Sequence, residues 1–471
     1  MKLILLSGGS GKRLWPLSND SRSKQFLKVL KNKDNVYESM LQRVWRQLKA
    51  KGLDKDTYIA TSKSQVETLI SQIGPDVPLI IEPERRDTFP AIVLSSMYLL
   101  SKKVGMEEVV CVLPVDPYVE DEFFDHLTNL ESALNHNIDI ALVGVKPTYP
   151  SEKYGYILTC HKEINPLSQQ TLQVKEFIEK PNEEKAKELI NQNAYWNCGV
   201  FGFKLNYMYK FLQDKGIGTN YDELVNQYHF LKKISFDYEV VENANKVGMI
   251  AFNGMWKDLG TWNTLTEEMK NPVYGVGIST LDSINTHIVN ELDIPVTIIG
   301  LSNIVVASSP DGILVADKKE SPRIKEVMNE INNRPMYEER RWGSYKVIDY
   351  SKAEDGTEVL TKRIIIKPGK NSSYHVHYKR DEVWTITAGS GTLFVNGIMH
   401  NVSKGDSLTI PRGTRHAVYS KDGIEFIEIQ MGEEVTENDK VQFGLDWIEI
   451  ISNKKINIRE INILKGRLAK K

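Results

Sequence analysis

The sequence predicts an α/β domain with a largely parallel sheet, then a β-rich connector, then a separate all-β domain. Three observations predict this order. Short apolar runs alternate with helically spaced segments through the first part of the chain. The helical spacing thins from about Pro272. After Trp342, strand-like runs follow one another with regular turn signals, as in a sandwich or barrel. At 471 residues the chain has room for roughly two to four domains with large cores.

Lys2 to Leu6 reads as a buried parallel strand that enters a glycine-rich turn. Further strands are expected at TYIA (57–60), PLIIEP (78–83), EEVVCVLPVD (107–116) and DIALVGV (139–145), with helices at Ala91–Lys102 and Phe123–Asn135 between them. In the connector, TIIGLSNIVVASS (297–309) and GILVAD (312–317) are short strands, and Arg323 to Asn332 a short helix. Asn333–Pro335 marks a boundary, and KPGK, VNGI, SKGD and PRGT punctuate the last domain. The divisions expected are 1–271, 272–335, 336–450 and a basic tail, 451–471. From Lys454 onward that tail carries seven Lys/Arg against one Glu, which suits a solvated or frayed end as well as a partner-binding segment.

Composition narrows the class. Sixty Lys+Arg against 62 Asp+Glu give a formal charge of −2, so the balance suggests neither a nucleic-acid partner nor a membrane surface. An apolar fraction of 41% with 26% charged residues is that of an ordinary water-soluble globular chain. Cys111, Cys160 and Cys198 are too few and too scattered for a disulfide scaffold or a cysteine zinc site, so a reducing, cytoplasmic setting is expected. No stretch reaches 18 apolar residues, and the N-terminal run is too short for a signal peptide.

The first candidate site is Gly8-Gly9-Ser10-Gly11-Lys12-Arg13, directly after the first strand. Glycines there let backbone N–H groups approach a phosphate chain, and Arg13 adds charge; a plain tight turn is the alternative. The spacing fits neither a P-loop nor the dinucleotide fingerprint. Lys24, eleven residues beyond Arg13 on the same connection, allows two cations to bracket one polyphosphate.

GGSGKRLWPLS followed by SKQFL resembles the signature of the long bacterial mannose-1-phosphate guanylyltransferases, whose C-terminal domain can be a phosphomannose isomerase. The likeness continues in order through EPERRDTFPAI (82–92), VLPVDPYVED (112–121), YPSEKYGYI (149–157), FIEKP (177–181), WNCGVFGF (196–203), ISFDYEVVE (234–242) and WKDLGTW (256–262). It implies a Rossmann-like nucleotidyltransferase domain with a mixed, mainly parallel sheet, a connector that can take the form of a left-handed β-helix, and a C-terminal cupin barrel. The implied reaction joins GTP and mannose 1-phosphate into GDP-mannose and pyrophosphate. The implied partners are small molecules, with a homo-oligomer as the assembled form.

Nucleotidyl transfer needs positioning, neutralising cations and hard oxygen ligands for Mg²⁺. Asp116 closes a predicted strand, where α/β proteins place ligands, and Asp258 lies in a Trp-rich turn. The resemblance implies that these two carboxylates hold Mg²⁺ and that Arg13 and Lys24 hold the triphosphate. It likewise implies that Lys180 holds the sugar phosphate and Glu179 a sugar hydroxyl, that Gly155 and Asn197 complete that pocket, and that Arg86 lies near the base. The chain departs from the family in having Pro117 for the usual His, Ser23 for the usual Pro, and Arg86-Asp87-Thr88-Phe89 for the usual Arg-Asn-Thr-Ala. The last change bears on base choice.

Four of the nine histidines fall between 375 and 416. Gly369, His375-x-His377, Glu382 and Gly389, then Gly405, Pro411-x-Gly413 and His416, resemble the two cupin motifs in their spacing. Alternate residues on a strand share a face, so His375 and His377 point together, and Glu382 with His416 closes a mixed N/O site suited to Zn²⁺, Fe²⁺ or Mn²⁺. Isomerisation of mannose and fructose 6-phosphates needs such a metal and a base. The isomerase pattern usually has Gln where His375 stands and extra histidines around it. Arg412, between Pro411 and Gly413, is a candidate phosphate or proton-transfer partner, and His400 lies outside both motifs. Rival readings are the same chemistry with another nucleotide or sugar phosphate, a non-catalytic sugar-nucleotide sensor, and a cupin oxygenase fused to a transferase.

Overall fold

Side-chain alternation along the buried strands makes the first domain three layers thick. Leu3, Leu5, Val109, Cys111 and Leu113 face one core, while Ile4, Val110 and Val112 face another on the opposite side of the sheet. Helices Met40–Ala50, Val66–Ile73, Phe123–Leu134 and Glu183–Asn191 cover the first face; Thr88–Ser101, Leu205–Asp214 and Tyr221–Gln227 cover the second. The chain is described here by a computed structural model, which covers residues 1–9, 11–19, 21–134, 137–163, 171–328, 333–452 and 463–464.

The sheet runs in the order Leu79–Glu82, Thr57–Ser62, Lys2–Ser7, Val109–Pro114, Tyr195–Lys204, Ile140–Val145, Val247–Phe252, Thr171–Ile178, Tyr156–Glu163. Its first four strands are parallel, and Tyr195–Lys204 then runs antiparallel to both neighbours, so the sheet is mixed. The apolar runs read from the sequence supply five parallel strands, whereas Val247–Phe252, which pairs parallel with Ile140–Val145, was not among them. Among the described residues, Thr171–Ile178 is only partly buried and alternates with charged positions, so hydropathy alone conceals it.

All the parallel strands end at one edge, where ligands of open α/β sheets bind. Past that edge a two-stranded ladder pairs Asp258 with Pro117, which brings the chain after Val247–Phe252 back to Asp116. Pro117 opens its strand, a position that tolerates the lost N–H.

The connector stacks parallel ladders without helical crossovers: Val273–Tyr274 on His287–Asn290 on Ile304–Ser309, with Gly277–Ser279 on Val296–Ile298 beside them. Gly312–Asp317 closes it antiparallel. The helix expected at 323–332 is present as Ile324–Val327 after the turn Ser321–Arg323; residues 329–332 lie outside the described set. The C-terminal sheet is antiparallel throughout and curls on itself, its longest strand, Arg380–Val395, pairing with four others. Of the basic tail, Ile463–Leu464 pairs with Ser407–Leu408, and residues 453–462 and 465–471 lie outside the described set.

The segment between the glycine turn and Lys24 ties the parts together. Arg22, buried, makes a bidentate pair with Glu291 of the connector at 2.8 Å on both arms. Ser309 donates to the Pro16 carbonyl at 2.6 Å, and Ser21 to Glu338 of the barrel at 3.0 Å. Arg341 of the barrel pairs with Glu67 at 3.6 Å.

Candidate active sites

Gly8 and Gly9 leave the first strand at the sheet edge, Gly9 with φ of 114°, and Gly11 opens the single turn Gly11–Leu14 that carries Arg13. Ser10 lies outside the described set. Lys24 begins the next short turn, and its ammonium lies 2.6 Å from Asp116 and 3.1 Å from Asp258. Two carboxylates from strands distant in sequence thus converge on one cation. Burial works to lower the Lys24 pKa, but the facing Asp116 and Asp258 outweigh it and hold the amine well above its ordinary value. Burial likewise works to raise Asp258, and Lys24, then Arg13 and Lys153, hold it below the usual carboxylate range. Two carboxylates aimed at one point are a donor set that fits a hard divalent cation. Gly260, which the sequence reading passed over, packs against this pair: a Cβ there would meet Asp258 Oδ1 at 2.9 Å.

A cleft of about 640 Å³ is lined by Arg13, Lys153, Tyr154, Trp196 and Asp258 among others; Tyr154 and Trp196 are chain neighbours of Gly155 and Asn197 in a second group. Strand Tyr195–Lys204 breaks register between Asn197 and Phe201, and the break turns Asn197 toward its neighbours. Its backbone N–H donates to the Gly155 carbonyl at 2.8 Å and its amide to Asp237 at 2.7 Å. A Cβ at Gly155 would stand 2.5 Å from Glu179 Oε2 and 2.9 Å from Phe177, so a side chain there would push both aside. Lys180 pairs with Glu179 and holds a left-handed φ of 47°, a strained backbone of the kind found at functional sites. Burial, reinforced by Asp237 and opposed by Lys180, pushes the Glu179 carboxyl up to about 7. Gly155, Glu179, Lys180 and Asn197 therefore do come together. Asp237, within the quoted ISFDYEVVE, joins them and was not singled out in the sequence. Arg86 lies apart: its guanidinium donates to the Leu231 carbonyl at 2.8 Å and to Glu84 at 2.7 Å.

In the barrel, His375 lies directly opposite His416 across a ladder, and Glu382 pairs in register with Ile410 and Gln430. Each imidazole hydrogen-bonds a backbone carbonyl through Nδ1: His375 to Ser373 at 2.7 Å, His377 to Asp439 at 2.8 Å, His416 to Thr414 at 3.0 Å. A carbonyl accepts only from N–H, so all three Nε2 atoms are left with lone pairs. One ligand atom from each ring lies within 4.8 Å of the others. Glu382 stands 3.4 Å from His377 Nε2 and 3.3 Å from His416 Nε2, the latter buried and without a hydrogen bond of normal geometry. Burial drives His377 down to about 4 and His375 well below its ordinary value, whereas His416, His377 and Arg380 overcome burial to keep Glu382 ionised. Neutral His375 and His377 beside an anionic Glu382 are protonation states that a divalent metal requires, so the residues fit one.

Two residues read differently in three dimensions. Arg380 donates to His377 Nε2 at 3.1 Å and pairs with Glu382 at 3.4 Å, a contact the sequence reading did not anticipate. Arg412 faces outward, paired with Asp381 at 3.0 Å on the opposite side of the strand from Glu382, and does not line the barrel cavity. That cavity, about 60 Å³, takes its cations instead from Arg340, Lys362, Arg380 and Lys440. Strand periodicity could have revealed Lys362 as inward-facing, since Leu360, Ile364 and Ile366 share its face.

Fold and sites define a two-part enzyme, an α/β transferase joined to a barrel that carries a histidine cluster. The chain belongs to the nucleotidyl transferase family, whose model matches residues 2–272, and residues 329–444 match the mannose-6-phosphate isomerase C-terminal model. The alginate biosynthesis protein AlgA of Pseudomonas fluorescens is 28% identical, over 93% of this chain and 95% of its own length. A mannose-1-phosphate guanylyltransferase of Salmonella montevideo is 28% identical, over 94% and 98% respectively. A solved structure described as a mannose-1-phosphate geranyltransferase from Thermus thermophilus superposes with a TM-score of 0.58 at 27% identity, covering 70% of this chain and 98% of that one. Among the described residues, no helix is long and apolar enough to cross a membrane.

Proposed function

We propose that the chain condenses GTP with mannose 1-phosphate to give GDP-mannose and pyrophosphate. The observation that carries this reading is the convergence of Lys24, Asp116 and Asp258 beside the glycine turn, together with the separate cluster of Gly155, Glu179, Lys180 and Asn197. Lys180 holds the sugar phosphate, with Glu179 and Asn197 on the sugar hydroxyls. A phosphate oxygen of the sugar phosphate then attacks the α-phosphorus, a bond forms there, and the α–β bridging bond breaks to release pyrophosphate. Arg13 and Lys24 neutralise the charge that gathers on the leaving group. Asp116 and Asp258 hold Mg²⁺, which when bound supplies further neutralisation and fixes the phosphates. The segments 1–271, 272–335 and 336–450 serve as transferase, connector and barrel.

For the barrel we propose interconversion of mannose 6-phosphate and fructose 6-phosphate. His375, His377, Glu382 and His416 hold a divalent metal such as Zn²⁺, Fe²⁺ or Mn²⁺, which polarises the sugar carbonyl when bound. Arg340, Lys362 and Lys440 are the cations available for the phosphate. Burial, with Glu382 adding to it, pushes the Glu428 carboxyl up to about 8, so at neutral pH it carries a proton to transfer.

The test is pyrophosphate release with Mg²⁺ across the four ribonucleoside triphosphates and dTTP, each with mannose 1-phosphate or glucose 1-phosphate. Preference for GTP with mannose 1-phosphate is expected. Another preferred pair assigns the altered 86–89 loop a different base or sugar, and no release from any pair overturns the transferase reading in favour of a sensor.

A further inference from the structure

We infer that Lys325, in the connector, is a binding residue for the polyphosphate, so that the transferase site is completed by a residue from outside the matched transferase segment. The inference rests on the transferase reading above and extends it to this residue. A cavity of about 260 Å³ opens beside the glycine turn, lined by Gly8, Gly9, Lys12, Arg13, Lys24 and Lys325 together with Ser23 and Gln25. Four of these side chains are cations, and among the described residues that line the cavity none is Asp or Glu. A small concave site with four positive charges and backbone glycines suits a ligand with several negative charges close together, which a nucleotide's β- and γ-phosphates or free pyrophosphate present.

Delivery of Lys325 follows from packing. Helix Ile324–Val327 lies against Gly11–Leu14, and the turn before it, Ser321–Arg323, lies against helix Trp262–Glu267. Ile324 and Met328 are buried at 7% and 5% exposure, one helical turn apart, and pin the inner face. Ser321 donates to the Lys318 carbonyl at 2.8 Å and fixes the entry to the helix. Nearby, Ser309 donates to the Pro16 carbonyl and the Trp15 ring packs onto Gly312, so the connector is fastened to the segment that follows the glycine turn. Lys325 is exposed and makes no ion pair with any described residue, which leaves its charge for a ligand. None of Gly155, Glu179, Lys180 and Asn197, the residues proposed for the sugar phosphate, lines this cavity. The ligand of Lys325 is therefore the polyphosphate end of the nucleotide.

The test is calorimetric titration of the full chain with inorganic pyrophosphate, and separately with mannose 1-phosphate, for the wild type, Lys325→Ala and Lys325→Arg. Lys325→Ala should weaken pyrophosphate about tenfold, with Lys325→Arg within about threefold of wild type and mannose 1-phosphate unchanged in both. Equal pyrophosphate affinity in wild type and Lys325→Ala overturns the role of Lys325 while leaving the transferase reading intact. Absence of pyrophosphate binding by the wild type overturns both.

Discussion

Lys24, Asp116 and Asp258 form a charge cluster in which every member needs the others. An ammonium between two carboxylates holds Lys24 above and Asp258 below their ordinary values despite partial burial, so the site is charged before any substrate arrives. Asp258→Ala should lower kcat/KM for transfer by at least about 100-fold with the fold retained, checked by pyrophosphate release and circular dichroism; near-normal turnover would remove Asp258 from the metal site. A different buried carboxylate governs pH response. Burial pushes Glu82 up to about 7, against the pull of Tyr228, which donates to it at 2.9 Å. The folded state then binds a proton that the unfolded state has released between about pH 4.5 and 7. Its contribution to stability is fullest below that window and is lost as pH rises through it. Glu82→Gln keeps an acceptor for Tyr228 and should therefore stabilise the protein above pH 7, by at most about 3 kcal/mol, with the gain vanishing toward pH 4.5 in urea titrations.

Strands do the positioning at the next level up. Strand Tyr374–His377 puts His375 and His377 on one face by simple alternation, and its ladder with His416–Ser420 sets the third imidazole opposite. The carbonyl partners of Nδ1 lie just before the strand for His375 and His416, and on the turn at Asp439 for His377. Local chain geometry therefore orients two rings, while a contact 62 residues away orients the third. His377→Ala should abolish metal content measured by atomic spectroscopy and leave nucleotidyl transfer within about twofold of wild type. Loss of both activities would mean that the barrel's integrity controls the transferase.

That coupling has a physical route in the whole molecule. Arg22 stands two residues before Lys24, and its guanidinium is closed off by Glu291, with Tyr337 of the barrel stacked at 5.2 Å. Glu291→Gln leaves a buried guanidinium half-paired and should cost about 3 kcal/mol, read as a lower denaturant midpoint. Because Arg22 anchors the connection that carries Lys24, the same variant should raise the KM for the nucleotide. An unchanged KM alongside lost stability would show Arg22 to be a fastening alone.

The apolar strands Lys2–Ser7, Thr57–Ser62, Val109–Pro114 and Ile140–Val145 were legible in the sequence, because strands buried on both faces must be continuous apolar runs, and the short apolar run of the edge strand Leu79–Glu82 was legible beside them. The histidine face of the barrel was legible as well, because period-two alternation is a local property. Which charges meet was settled by folding in three dimensions. Asp258 reaches Asp116 through a two-stranded ladder between segments far apart in the chain, Arg380 rather than Arg412 faces the histidines, and Lys325 arrives at the cavity beside the glycine turn from the connector. Hydropathy encodes which side of an element is buried. It carries no information on which buried or half-buried charge stands across the gap, since that depends on ladder register and on the packing of distant segments.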